Sequence, residues 1–339
     1  MKLDKITIRI ILGSLLLGCG IIFVSCEKGM DSEIVKMIVP EIKGWEPLFL
    51  NVADNLNDIH FINDNSGWIV GENQTLIATA SGDIGWSLAP VDLPLENLRS
   101  VFFVDDQMGW IVGDLSGNPI LGQVAYTANG GGYPTQQEIF DKPLYSLFFI
   151  DRQIGWAAGL DGLIVQTLNG GSDWKAIPAF TDKPIYDLYF TEDGSGWAVT
   201  GGGGIFSTRD GIEWAMEPTG IDTDIFSIHM LDESNGWACG KKNSILKRIM
   251  MEDGKASWTI IVINSVPSGQ IWNDIFFLDP STGWVVGELG QIYKTTDGGI
   301  SWKNEESNVT SNLNAIYMVS QVKGWIAGDE GVVISYNAR

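Results

Sequence analysis

From Leu56 to the C-terminus the chain repeats a six-residue, largely apolar word. It reads LNDIHF at 56–61, LRSVFF at 98–103, LYSLFF at 144–149, IYDLYF at 185–190, IFSIHM at 225–230, WNDIFF at 272–277 and LNAIYM at 313–318. Apolar residues dominate both alternating faces, the pattern of a strand packed on both sides. A turn such as DPSTG (279–283) follows, usually opened by Asp or Asn and closed by Gly. Next come a second apolar strand (WIVG, WVVG), a Gly-rich or acidic turn (DEG, LDG, ELG), a third strand such as QIYKT, and a fourth, more polar strand opened by Trp.

The Gly-Trp pair that starts the second strand recurs at Trp68, Trp110, Trp156, Trp197, Trp237, Trp284 and Trp325, at spacings of 42, 46, 41, 40, 47 and 41 residues. Seven four-stranded units of about 40 to 45 residues predict an all-β chain folded as a seven-bladed β-propeller. The period-2 pattern and the glycines exclude a helical solenoid, and the unbroken period excludes two sandwiches. The last unit stops in its third strand, GVVISYNAR, whereas KGWEPLFLNV (43–52) looks like a fourth strand without a blade. Pairing the two closes the ring and hides two open sheet edges.

The stretch TTDGGISW (295–302), with Thr295, Asp297, Gly299 and Trp302, and TLNGGSDW (167–174), with Thr167, Asn169, Gly171 and Trp174, resemble the Asp-box, or bacterial neuraminidase repeat. TRDGIEW (208–214), with Thr208, Asp210 and Trp214, is one residue short; TASGDIGW (79–86) lacks the Asp and TANGGGYP (127–134) lacks the Trp. The longer unit GWVVGELGQIYKTTDGGISW is similar to the photosystem II stability/assembly factor family, and the resemblance spans 41–339. It implies a seven-bladed propeller that binds a membrane-protein precursor through an arginine-rich patch on one face. That patch does not carry over, because the propeller holds only Arg99, Arg152, Arg209, Arg248 and Arg339. Physically the motif reads as a turn. Its Asp accepts backbone N–H bonds, its glycines tolerate positive φ, and its Trp packs across the hairpin. A catalytic group would not be copied into blades that point in different directions.

The N-terminus changes the picture of where the protein sits. MKLDKITIR, the apolar run IILGSLLLGCGIIFV and then SCEK read as a bacterial lipoprotein signal over 1–26, followed by a flexible tether, 27–40. Cys26, preceding polar EKGMDSE, is the preferred acylation site. Cys19, after Leu16, Leu17 and Gly18, is the alternative. Either places the propeller in the bacterial cell envelope, lipid-anchored and periplasmic or surface-exposed. Cys239 is then alone in the mature domain, so no internal disulfide forms. The net charge of −21 argues against nucleic acid and anionic membrane surfaces as partners, and contact with the membrane is expected through the lipid alone.

Candidate chemistry is sparse. His60 and His229 fall in the column filled elsewhere by Phe102, Phe148, Tyr189, Phe276 and Tyr317, so they read as aromatic stand-ins, and no catalytic residue or cofactor is expected. The second residue of each innermost strand varies: Asn57, Arg99, Tyr145, Tyr186, Phe226, Asn273 and Asn314. Aromatic and amide groups at a channel mouth suit recognition of a protein segment or a glycan. On the same face the acidic turns bring Glu72, Asp114, Asp161, Glu288, Asp329 and Glu330, a weak calcium candidate if carbonyls converge with them. Two function classes follow: a non-enzymatic protein-binding or assembly scaffold, or a carbohydrate-binding protein or glycosidase. A sialidase needs three converging arginines, and related glycosidases use paired carboxylates between two propellers.

Overall fold

The computed structural model describes residues 44–82 and 84–337. Seven four-stranded antiparallel sheets form a β-propeller. The blades run 56–88, 95–140, 144–176, 185–217, 225–261 and 272–305, each in the strand order of the chain, innermost to outermost. Blade 7 takes 313–320, 323–328 and 333–337 from the C-terminal end, and its outermost strand is Trp45–Leu48. There Trp45 faces Tyr336 and Leu48 faces Val333, so the two ends of the described chain lock the ring.

The Gly-Trp pair packs one blade on the next. The Trp ring stacks flat on the last aromatic of the following innermost strand: Trp68 on Phe103 at 3.6 Å, Trp110 on Phe149 at 3.7 Å, Trp156 on Phe190 at 3.8 Å, Trp237 on Phe277 at 3.6 Å and Trp325 on Phe61 at 3.8 Å. The glycine before each Trp gives its own blade's Phe or Met room. A Cβ on Gly67 would clash with the Phe61 ring, and one on Gly283 would come within 2.6 Å of the Phe277 ring atoms, a clash as well. Trp burial of this kind removes about 150–250 Å² of surface per ring, a major share of the apolar driving force.

The Asp-box completes the joint. In four boxes the Thr hydroxyl (Thr127, Thr167, Thr208, Thr295) donates to the Asn or Asp side chain two residues on, and it accepts the N–H of Gly131, Gly171, Gly211 or Gly299. The neighbouring glycine carbonyl then points back across the blade interface. Trp68, Trp110, Trp156 and Trp237 donate their indole N–H to the carbonyls of Gly130, Gly170, Gly211 and Gly298 at 2.8–3.2 Å. The box is therefore an inter-blade clasp built from a turn, and the Ser301 hydroxyl and N–H hold the Asp297 carboxyl down to about 2.

Where the next blade has no intact box, this clasp is not made among the described residues. Among the described residues the indole N–H groups of Trp197, Trp284 and Trp325 have no hydrogen-bond partner, and each ring lies under a cation, Arg248, Lys294 and Lys323 respectively, as the ring of clasped Trp237 also lies under Lys247. Arg248 is itself buried, in a two-pronged ion pair with Glu217 across the interface between blades 4 and 5. Cys239, fully buried, fills a small-residue position of blade 5, and burial pushes its thiol pKa well up.

Candidate functional site

A one-residue register shift occurs at the second position of every innermost strand, as between Leu56 and Asp58 or Trp272 and Asp274. A bulge re-aims the side chain it inserts. Here it turns the second residue toward the channel mouth while the third and fifth still line the channel. All seven variable residues thus lie half-buried around one rim.

The rim divides into two arcs of different character. On blades 6, 7 and 1 the amides are used within the protein: Asn273 donates to the Leu313 carbonyl, Asn314 to that of Leu56 and Asn57 to that of Leu98, at 2.7–2.9 Å. These bonds tie each blade to the next. Arg99 is likewise committed, gripping Asp114 through Nε at 2.8 Å and a terminal nitrogen at 2.7 Å. Blades 3 to 5 carry the arc free to bind. Tyr145 stacks near-parallel on Tyr186 at 6.0 Å, and Tyr186 meets Phe226 edge-on at 5.0 Å. Lys241 covers Phe226 at 5.5 Å and is held there by Asp224 at 2.6 Å. Burial raises both tyrosine pKa values, so their hydroxyls stay neutral donors at physiological pH.

The acidic turns border this rim. Asp114 is taken by Arg99, Asp329 accepts from Asn312 and Asn314, Glu72 accepts from Asn55, and Asp161 sits 3.7 Å from Lys142. Glu330 accepts from Ser311, and Glu288 opens the turn 288–290. Among the described residues no three His, Cys, Asp or Glu side chains are grouped to hold a metal ion.

Below the rim, a cavity of about 400 Å³ holds a layer of three buried carboxylates. Asp58, Asp187 and Asp274, at the third position of their strands, each join neighbouring blades. Asp58 accepts from Ser100 and the N–H of Val101; Asp187 from Ser146 and the N–H of Ile228; Asp274 from Ser227 and the N–H of Ile316. Burial is the main cause that lifts them, Asp58 to about 6 and the other two to about 7. The sequence signal is the column Asp, Ser, Ser, Asp, Ser, Asp, Ala, in which each carboxylate acceptor has a serine donor on an adjacent blade.

His60 and His229 sit one layer further down. They pack against Phe102 and Tyr317, and against Tyr189 and Phe276, as the column of aromatics implies. His60 Nε2 is 3.0 Å from the Phe103 carbonyl, and burial lowers both imidazoles to about 4, which keeps them neutral. Cys19 and Cys26 lie outside the described residues, and no described helix is long and apolar enough to cross a membrane.

Comparison with known proteins agrees with the propeller fold. The family described as "Photosynthesis system II assembly factor YCF48" matches residues 38–132 and 248–337, more than half of the chain. The Photosystem II assembly lipoprotein Ycf48 of Prochlorococcus marinus (strain MIT 9313) is 27% identical over 309 residues, 89% of this chain and 91% of that protein. The chloroplastic photosystem II stability/assembly factor HCF136 of Arabidopsis thaliana is 31% identical over 65 residues, 19% of this chain and 16% of that protein. Among solved structures, a YCF48 bound to D1 peptide superposes with a TM-score of 0.73 at 22% identity, covering 88% of this chain and 98% of that one. A streptogramin B lyase reaches 0.69 at 13% identity, covering 86% and 96%, so the bare fold is shared with an enzyme. The matched repeats in both the N-terminal and C-terminal parts of the propeller place the chain in the photosynthesis system II assembly factor YCF48 family.

Proposed function

We propose that this chain is a non-enzymatic cell-envelope lipoprotein, anchored through Cys26 with Cys19 as the alternative, that serves as a protein-binding assembly scaffold. The observation that carries the reading is the aromatic arc of Tyr145, Tyr186 and Phe226 beside Lys241. It is presented on a ring whose other rim residues are committed within the protein, the three amides to the next blade and Arg99 to Asp114 of its own blade. Such a surface binds without an ordering cost, and Tyr and Phe supply contact area on rigid side chains. The names of the relatives support a protein partner: the Prochlorococcus protein is an assembly lipoprotein, and one solved relative holds a D1 peptide. An extended segment of a membrane protein, laid across blades 3 to 5, is the partner class that fits.

A carbohydrate ligand is the second reading, because paired tyrosines can also stack on a sugar ring. Hydrolysis is not part of it. Arg99, the only rim arginine among the described residues, is paired with Asp114, and both histidines are neutral and turned to backbone carbonyls. The experiment is affinity capture from native membranes with wild type and Tyr145→Ala/Tyr186→Ala, run beside a glycan array. The reading expects a defined protein captured by wild type and lost with the double variant. Glycan binding without protein capture would replace it with the second reading, and turnover of a sialoside or β-glucan would refute both.

A further inference from the structure

The opposite mouth of the propeller has a different chemistry. A cavity of about 860 Å³ opens there between blades 3, 4 and 5, walled by Phe148, Tyr189, Phe190 and Met230 and edged by the turns 191–195 and 231–235. Those two turns bring the exposed carboxylates Glu192, Asp193, Asp232 and Glu233 to the edge, and no Lys or Arg lines the cavity. The asymmetry extends around the ring. The seven turns between first and second strands (62–66, 104–108, 150–154, 191–195, 231–235, 278–282 and 319–323) carry nine carboxylates against Arg152 and Lys323. Arg152 is itself paired with Asp105 at 2.7 Å. At the same end of blade 5 the third and fourth strands run on in place of an Asp-box. Their tip leaves Ile249, Met250 and Met251 exposed.

We infer that this mouth is a second docking surface, one that takes a basic segment of a protein, with Lys or Arg set against the carboxylates and an apolar side chain entering the aromatic cavity. Charge complementarity selects the occupant. A field of one sign over a low-dielectric wall attracts cations and repels the anionic surface of a membrane or a nucleic acid. Methionines at the tip supply an adaptable apolar contact beside it. Asp193 and Asp232 are partly committed, because each accepts N–H bonds inside its own turn. Among the described residues Glu192 shows no hydrogen bond, and Glu233 accepts one only from the Ser195 hydroxyl. The two glutamates are therefore the groups that read the partner's charge. This surface is distinct from the Tyr145–Tyr186–Phe226 rim, so one propeller can hold two segments at once.

The test uses a fluorescein-labelled dodecapeptide of alternating Lys or Arg with Leu, titrated by fluorescence anisotropy against the full chain, with a Glu-for-Lys peptide as control. The inference expects saturable binding of the basic peptide alone, weakened several-fold on raising NaCl from about 50 to about 300 mM. It expects Glu192→Lys/Glu233→Lys, whose folding is checked by circular dichroism, to weaken binding at least about tenfold. Tyr145→Ala/Tyr186→Ala should leave the affinity unchanged. Absence of saturable binding at low salt, or binding that the glutamate variant does not alter, overturns the inference. Loss of binding in the tyrosine variant instead assigns the peptide to the rim, which overturns this surface and leaves the scaffold reading standing.

Discussion

Replacing Thr295 by valine keeps the side chain's shape and removes only its hydroxyl, so the energetic role of the Asp-box can be measured without opening a cavity. Thr295 is 1% exposed. Its oxygen accepts the buried N–H of Gly299 at 2.9 Å and donates to Asp297 at 2.8 Å. Asp297 is exposed and regains a partner from water, which makes that bond nearly neutral on loss. The Gly299 N–H has no such recourse, and orphaning a buried donor costs about 1–3 kcal/mol. The turn it holds also presents the Gly298 carbonyl to the Trp237 indole at 3.2 Å, which adds to the upper end of that range. At about 2 °C per kcal/mol for a domain of this size, the melting temperature should fall by roughly 2–6 °C. Differential scanning calorimetry supplies the number. Thr79→Val is the internal comparison, because its box faces Trp325, whose indole makes no hydrogen bond among the described residues. A shift under about 1 °C for Thr295→Val, or loss of partner capture with unchanged stability, would refute the structural reading of the motif.

Three further outcomes follow from the same contacts. Arg248→Ala leaves Glu217 charged and enclosed between blades 4 and 5, and breaking a buried pair in this way costs about 3–5 kcal/mol, readable as a lowered midpoint in urea. Asp274→Asn should lose the Ile316 N–H bond yet flatten the pH profile. In the folded state this carboxyl is held at about 7 against 3.8 unfolded, so its destabilising contribution is absent below pH 3.8 and grows as pH rises to 7. From pH 5 to pH 7 the variant should therefore gain roughly 2 kcal/mol relative to wild type, an upper value because the carboxyl keeps some surface inside the channel. A variant-to-wild-type difference independent of pH would refute this. His60 and His229, lowered to about 4, act oppositely in wild type: their contribution is full above pH 6.5 and is lost as pH falls toward 4. Finally, Cys239 should resist iodoacetamide in the native protein and react fully in guanidinium, as mass spectrometry of the peptide containing it would show.

Much of the architecture is readable from spacing. Seven Gly-Trp pairs give seven blades because each pair is one half of an inter-blade joint, Gly clearing space for a ring and Trp stacking on the next. The orphan strand around Trp45 pairs with the strand around Tyr336 because an open edge at either would be costly. The candidate rim is readable only in part. Position predicted where Asn57, Arg99, Tyr145, Tyr186, Phe226, Asn273 and Asn314 lie, but not that the amides and Arg99 are spent within the fold. That outcome depends on carbonyls and carboxylates of neighbouring blades. The aspartate layer stayed hidden for a related reason. A bulge makes two successive residues face the channel, so pairs such as Asn57-Asp58 break the period of two that normally marks a buried face.

The most direct measurement is photocrosslinking from the rim in native membranes, using Tyr186→p-benzoylphenylalanine in the otherwise intact full-length chain. A scaffold that holds its client on blades 3 to 5 should yield one dominant protein adduct from position 186. The same probe at exposed Ile300, outside the rim, should give none. Equal labelling from both positions, or no protein adduct from position 186, would contradict a partner seated on the aromatic arc.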